Sequence, residues 1–598
     1  MYKYINQIKT LTVAVCLSIT SCVSLLDEKP ISTLSNSNFE HVEDLEQVAI
    51  GMYQALTLKG PVVSNLANWS VLYPSYGWGI MGTDILSMTE AQATKTASKF
   101  TTYSLSQTDE QVEVHWTNIY QLINRANNVI DLAQKAKGDD ELRNRYIAEA
   151  RFLRAFSYMD LVQFYGGVPL RLKPTVNIET ELGESRATEA EVWNVIIEDL
   201  EFAEQYLIED HTGVEGRATK WAAKGLLAKA YLTMGGYPNA NYQDPMWFEK
   251  SAQKAYEVIS GSGKILNPTT EGNPGAFTEY GQQFLESGEN SQESIFEIQF
   301  HYSQDNTGSG WGSRTITSKG EYNESEYGTF YTKGGGTVVG TDFALSFEDK
   351  DIRFQWSIGP YALKAGNVRQ VKPFSGWTCY KFKWENFPTN SWETSVNAPV
   401  LRLADIYLIF AEASNEALGD PNSSTYGMSA YDAINQVRKR AQVVEMDDTY
   451  LMTDSPYSSS DLLYNMSYES FDKANQFYDG RHVYYTGSLK ERFRSAVLME
   501  RAWELCFERH RWFDLKRTGN LVEFARGTTI AGGGKLNKGA LLDPVDKSDF
   551  AKNQLPKKGN QVWSPSTRIQ EHNLYLPIPN VEIQINPGIS QGDQNPGY

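Results

Sequence analysis

The sequence predicts a mainly α protein: a scaffold of tetratricopeptide-like helix pairs with a large irregular, loop-rich insertion and a mixed C-terminal region. Three observations carry that expectation. Apolar residues recur at helical spacing through much of the first 260 residues. Two helix-stop signatures, Gly166-Gly167-x-Pro169 and Gly235-Gly236-x-Pro238, lie 69 residues apart, as do Phe152 and Trp221. Two repeats of about 34 residues give nearly that spacing, and such helix pairs stack by burying their apolar faces on one another. Residues 261–400 then change texture, becoming rich in Gly, Asn, Ser and aromatics.

The chain opens on a basic start, Lys3 and Lys9, followed by the apolar-leaning run Leu11–Ile19 and then Thr20-Ser21-Cys22. This order marks residues 1–21 as a secretory signal. Nine residues make only about 14 Å of helix, too short for a bilayer core of about 30 Å. Ile19-Thr20-Ser21-Cys22 resembles the bacterial lipobox, in which the Cys becomes the lipid-bearing first residue of the mature chain. The expectation is an exported protein held at a membrane by acyl chains on Cys22.

Residues 22–260 hold the N-terminal segment and the helical repeats. Trp116, Ile119, Tyr120, Ile123, Ala126 and Ile130 form one stripe, and residues 146–165 form a second helix that stops at the first Gly-Gly. A third opens on the capping box Thr188-Glu189-Ala190-Glu191 and runs through Val192, Ile196, Leu200 and Ala203. A fourth runs from Ala218 to Tyr231, and a fifth spans residues 247–259. In the 261–400 insertion, residues 294–300 read as a strand; a further helix pair, 401–418 and 429–441, occupies segment 401–442. Residues 443–598 carry one strong helix, 489–515, and then turn-rich chain.

Composition excludes several functions. The net charge is −18, from 73 acidic and 55 basic side chains, which argues against nucleic acid or a polyanionic ligand, since both need a basic footprint. No stretch after the signal approaches 18 apolar residues. The chain contains no HExxH, GxSxG, P-loop or paired CxxC, and its seven His are dispersed. No cofactor or metal is therefore expected; a calcium ion near Asp447 and Asp448 would be structural. Of four Cys, Cys506 reads as a small buried hydrophobe inside a helix, and a bridge to Cys379 stays open. Aromatics are the outlier, with 34 Tyr and 14 Trp. Rings with one wet edge suit binding surfaces.

Ordered sequence blocks across the chain resemble the SusD/RagB family of outer-membrane nutrient-binding lipoproteins. They are Ser21-Cys22 with Leu25-Leu26-Asp27-Glu28-Lys29-Pro30, Arg125-Ala126-Asn127, residues 148–155, Tyr165-Gly166-Gly167-Val168-Pro169-Leu170 and residues 216–224. The second half adds residues 401–413, Glu500-Arg501-Ala502-Trp503-Glu504-Leu505, residues 511–517, Leu576-Pro577-Ile578-Pro579 and the ending Asn586-Pro587 with residues 594–598. The resemblance implies four tetratricopeptide-like helix pairs beneath an irregular ligand-binding half. It also implies a surface lipoprotein of the outer membrane that hands an oligosaccharide or polysaccharide to a TonB-dependent transporter, without catalysis. A peptide-binding homologue with the same partner is the alternative, and a surface glycoside hydrolase a remoter one, since a spatial carboxylate pair is not legible in sequence.

Most of the blocks read as structural: Arg151, Arg154, Arg402, Glu412, Glu500 and Arg511 are expected to pair helices through ion pairs. Sugar recognition needs flat rings against C–H faces and polar groups around the hydroxyl rim. Two segments offer both: residues 65–79, closely followed by Asp84, and residues 301–312, with Tyr322, Tyr327 and Tyr331 beyond them. Trp78 and Trp311, flanked by glycines, are the expected stacking platforms, with Tyr302 and Tyr331 beside the second. Asn68, Asp84 and Arg369 are the expected hydroxyl contacts. Trp69 and Tyr73 fit better as packing at the base of the first loop.

Overall fold

The structure is a computed structural model; it describes residues 39–57, 82–88, 99–100, 102–177, 181–211, 213–236, 245–268, 279–300, 337–339, 343, 346–347, 351–358, 361–364, 367–370, 381–382, 396–452, 487–527 and 569–598. After a short helix α1 (Glu46–Gln54), the stack runs through α2 (Glu110–Lys135), α3 (Asp140–Tyr165), α4 (Glu189–Tyr206), α5 (Lys220–Met234) and α6 (Pro245–Gly261). From α2 to α6 each helix packs on the next. The predicted stripe of α2 is buried from Trp116 to Ile130, and α3 is buried almost continuously from Tyr146 to Tyr165. A helix buried on both sides reads this way because it has a neighbour before and after it in the stack.

Local chemistry sets the boundaries. The Asp139 carboxylate accepts from the backbone N–H of Glu141 to open α3. Thr188 and Glu191 form the predicted capping box of α4. The two Gly-Gly stops share a requirement at their second glycine. A Cβ on Gly167 would stand 2.1 Å from the Ala187 carbonyl oxygen, and one on Gly236 would stand 2.3 Å from that of Arg517. Their first glycines differ: Gly166 takes φ 75°, open to glycine at little cost, whereas Gly235 stays right-handed at φ −70°.

The next partner of α6 lies far along the chain. It packs against α7 (Leu403–Leu418), and α7 in turn carries α8 (Ala430–Arg440) and α9 (Leu489–Glu504). The 294–300 run forms strand β2 (Ser294–Ile298), antiparallel to β6 (Ala398–Arg402), with all ten side chains buried. Two further antiparallel pairs join β1 (Leu86–Met88) to β3 (Thr337–Val339), and β4 (Tyr361–Lys364) to β5 (Asn367–Gln370).

The single helix expected over 489–515 is two. α9 ends at Glu504 and α10 (Arg511–Arg517) begins after a turn in which Phe507 and Arg509 both take φ 67°. Neither is glycine, so this backbone is strained, and the surrounding bonds hold it. Lys381 donates to the Glu504 and Cys506 carbonyls at 2.8 and 3.2 Å, and Arg402 reaches Glu508 at 2.7 Å. Cys506 therefore sits in this turn and not in a helix, as a free buried thiol raised by burial to about 11.

The anticipated ion pairs are present and mostly buried. Arg154 joins α3 to Asp199 of α4 at 2.8 Å, and Arg151 lies 3.7 Å from the same carboxylate. Arg402 bridges Glu293 and Glu504 at 2.7 and 2.6 Å. Glu500 takes Arg438 at 2.8 Å together with Arg353. Asp405 binds Arg501 at 2.8 Å and Glu412 binds Arg517 at 2.7 Å, tying α7 to α9 and α10. Charges placed this deep are tolerable only when paired and hydrogen-bonded.

Candidate functional site

In sequence, the first aromatic segment, 65–79 with Asp84 after it, precedes β1, and the second, 301–312 with Tyr322, Tyr327 and Tyr331 beyond it, precedes β3. These two strands pair: Leu86 lies opposite Val339, Ser87 opposite Val338 and Met88 opposite Thr337. Chain that is some 250 residues apart in sequence thus meets at one antiparallel junction. Both sides of it are fastened to the helical frame. On the β1 side, the Arg511 Nε donates to the Asp84 Oδ1 at 2.8 Å and its Nη2 binds Oδ2. Arg511 also donates from Nη1 to the Leu498 carbonyl at 2.9 Å, so the guanidinium spans from β1 to α9. Gly82, at φ 74°, accepts from the Tyr103 hydroxyl. Burial first, and then the Asp84 charge, push that phenol far above its ordinary range.

On the β3 side, the Trp503 indole of α9 donates to Ser346 Oγ at 2.9 Å. Phe347 meets Phe343 edge to face at 5.2 Å and lies 6.2 Å from Trp503. The two strands are therefore joined to each other and, through Arg511 and Trp503, to the same helical corner.

This placement corrects one expectation. Asp84 is 1% exposed and Arg511 is 2% exposed. A carboxylate committed to a buried guanidinium in the core does not meet a ligand hydroxyl, so Asp84 leaves the set of contact candidates. Arg511 was legible as an ion-pair residue, but its partner stands 427 positions away and nothing local in the sequence points to it. Arg369 lies in β5 opposite Ala362. Asn68, Trp78, Tyr302, Trp311, Tyr331, the packing candidates Trp69 and Tyr73, and the anchor Cys22 with its signal all lie outside the described residues.

A cavity of about 390 Å³ opens elsewhere, between the end of α5, the start of α6, and α7, α9 and α10. Its charges already pair with each other, Arg517 with Glu412 and Arg494 with Glu416, the latter at 2.6 Å from Nε. Phe248 is its aromatic lining residue. Neither feature matches a cleft built to take sugar rings. Among the described residues no group of three or more His, Cys, Asp or Glu side chains could hold a metal ion, and no helix is long and apolar enough to cross a membrane. Asp448 accepts from the Tyr431 hydroxyl at 2.8 Å and from Asn422 at 3.1 Å, bracing the loop ahead of α8.

A family model described as the SusD family matches residues 282–598, more than half of the chain. The chain belongs to the SusD family. A second model, described as starch-binding and associating with the outer membrane, matches residues 25–232. Among relatives, the SusD-like protein P25 of Formosa agariphila is 24% identical, with 97% of each chain covered. Among solved structures, a SusD homologue from Bacteroides thetaiotaomicron superposes with a TM-score of 0.67 at 22% identity, over 94% of this chain and 98% of that one. The surface glycan-binding protein A of the same organism, solved with laminarihexaose, gives 0.61 at 17% identity, over 92% and 99%. The mainly α class with tetratricopeptide-like helix pairs is thus the SusD fold.

Proposed function

We propose that this protein is a non-catalytic, cell-surface glycan-binding lipoprotein. It captures an oligosaccharide or polysaccharide and delivers it to a partner TonB-dependent outer-membrane transporter. The observation that carries the reading is the β1·β3 pairing in a chain of the SusD family, because it joins the ends of the two segments whose composition suits sugars. Trp78 and Trp311 present flat rings to the C–H faces of the ligand, with Tyr302 and Tyr331 widening the second platform. Asn68 and Arg369 bond the hydroxyl rim. A relative of the same fold bound to laminarihexaose supports an oligosaccharide ligand. The description of the second family model, together with the lipobox-like Ser21-Cys22, supports attachment at the outer membrane.

A panel of polysaccharides in native affinity gels tests this. Retardation without product release is the expected result. Release of reducing sugar by the pure protein would sink the non-catalytic reading, and retention of peptide mixtures alone would favour the peptide-binding alternative. Trp78→Ala and Trp311→Ala should each weaken glycan binding roughly tenfold, the scale of one lost aromatic platform, with little change in Tm. Cys22→Ala should leave the protein folded and released from the membrane fraction.

A further inference from the structure

The cavity of about 390 Å³ lies within the helical frame, and its volume is that of a small-molecule pocket. The second Gly-Gly stop of the sequence borders it. A Cβ on Gly235 would stand 2.7 Å from the Phe248 ring, and Gly236 already fits against the Arg517 carbonyl, so two glycines let the end of α5 close on both neighbours. Phe248 and Pro245 give the cavity an apolar surface. The rest of its lining is mostly charged, and the sum of those charges decides what can enter.

Arg517 forks onto Glu412, with Nη2 donating to Oε2 at 2.7 Å, and Arg494 forks onto Glu416, with Nε donating to Oε1 at 2.6 Å. Each pair cancels. Lys490 is the surplus: its Nζ donates to the Glu416 backbone carbonyl at 2.8 Å and lies 3.6 Å from a carboxylate oxygen that Arg494 already holds. Its side chain is 33% exposed, and the Nη1 of Arg494 has no acceptor among the described residues. Behind the wall, Asp514, Arg501, Asp405 and Lys229 alternate in sign along a chain of ion pairs and sum to zero. The described lining thus holds three cations and two carboxylates, a local reversal in a chain of net charge −18. A cleft with low-dielectric walls focuses such a surplus on whatever enters it.

We propose that this cavity is a second ligand site, separate from the glycan-binding loops, and that it takes a small organic carboxylate. The anion meets Lys490 and the free edge of Arg494, and the carbon body of the ligand lies against Phe248. Charged walls and a single ring make the cavity unfit for a neutral sugar, and they are what a one-ring or one-residue anion requires. Such a carboxylate has two sources, a uronic acid or the C-terminal end of a peptide, and both present the same group. The inference does not depend on the glycan reading, because every residue it uses belongs to the frame.

Calorimetric titration of the full-length protein at fixed ionic strength tests it, with galacturonate, N-acetylalanine and, as the neutral control, galactose. Saturable binding of at least one carboxylate with a Kd of about 1 mM is expected, an affinity ordinary for ligands this small. Binding of galacturonate alone would identify a sugar acid, and binding of N-acetylalanine alone a peptide end. Lys490→Gln removes the surplus and should weaken binding about tenfold with little change in Tm. Glu416→Gln doubles the surplus and should tighten binding, an opposite sign that a merely structural role would not produce. Galactose bound as tightly as the carboxylates, or no saturation by either carboxylate, would overturn the proposal. So would native affinity in both variants, or a shift of both in the same direction. Retardation of polysaccharide in native gels should be unchanged in Lys490→Gln, and its loss there would refute the separation of the two sites. A protein that binds a carboxylate in this way yet retards no polysaccharide would overturn the glycan reading and leave the second site standing.

Discussion

In the helical stack, α2 and α3 run for 26 residues each and bury their contact faces along most of that length, while β1 and β3 meet over three residues. The electrostatics differ in the same direction. Glu504 alone is shared by Arg353, Arg402 and Arg440, and the Arg402 guanidinium serves Glu293, Glu504 and Glu508 together. The frame is thus over-determined, with these charges held from several elements, whereas the described β1·β3 pairing spans three residues, tied to the frame through Arg511 with Asp84 and Trp503 with Ser346. Extensive burial makes a scaffold that resists change, and a short junction on that scaffold can carry variable loops without endangering the fold. Damage to the frame should therefore register as lost stability, and damage to the junction as lost binding.

The largest effect is expected from breaking the frame. Glu504→Ala would leave three guanidiniums in the core without their shared carboxylate. Removing one partner from a buried charge cluster costs about 3–5 kcal/mol. Denaturant unfolding should show that loss, while glycan affinity of the folded fraction stays within experimental scatter of the native protein. A Glu504→Ala protein as stable as the native one would mean that the frame is not held by this cluster.

Acid should act on the frame in the same way. His510 lies 2.8 Å from the Lys229 ammonium through Nδ1, so its ring accepts and stays neutral. Burial first and Lys229 second push it down to about 3. His115 is likewise lowered by burial, between Tyr165 and Asp160. Both folded values lie below the unfolded value of about 6.5. The unfolded chain therefore binds more protons as the pH drops, and stability, complete above that value, declines as pH falls towards 3. Further down, carboxylates join in: against the upward push of burial, Arg501 and Arg517 hold Asp514 at about 2, so its contribution is lost only below the unfolded carboxylate range. Calorimetry at pH 7.5, 6 and 4.5 should show a monotonic fall in Tm, and His510→Asn, which keeps an acceptor for Lys229, should flatten it. Equal Tm values at pH 7.5 and 4.5 would sink this account.

What could be read from sequence follows the range of the forces involved. The α2 stripe and the Thr188 capping box are local patterns, spaced within a turn or two, and they stand in the structure where the residues place them. The identity of the ion-pair residues was legible because charged side chains within apolar helices need partners. Which partners they take was not, since Asp84 and Arg511 are 427 positions apart. The same limit hid the packing of α6 on α7 across the whole insertion. The break at 505–510 escaped because it is made by Phe507 and Arg509, residues that carry no turn signal and adopt φ 67° only because buried bonds hold them. At the candidate site, aromatic composition flagged the two segments, but three-residue strands have no periodicity to detect, so their junction emerged only from the fold.

The smallest effect concerns a cap that belongs to the frame but touches neither the charge clusters nor the junction. Thr188 Oγ1 accepts from the Glu191 backbone N–H at 3.3 Å, and the Glu191 carboxylate returns to the Thr188 N–H at 2.8 Å. Thr188→Ala removes the first of these bonds and leaves the second. Loss of such a cap costs about 1 kcal/mol. The α4 face beyond it, from Val192 to Ala203, stays buried against α3 and α5, so the helix keeps its place. Tm should therefore fall by a few degrees, and affinity for the glycan should not move, because the path from α10 to β1 and β3 runs through none of these residues. A Thr188→Ala protein that lost glycan binding would show that any loosening of the frame reaches the ligand, and would erase the distinction between the two regions.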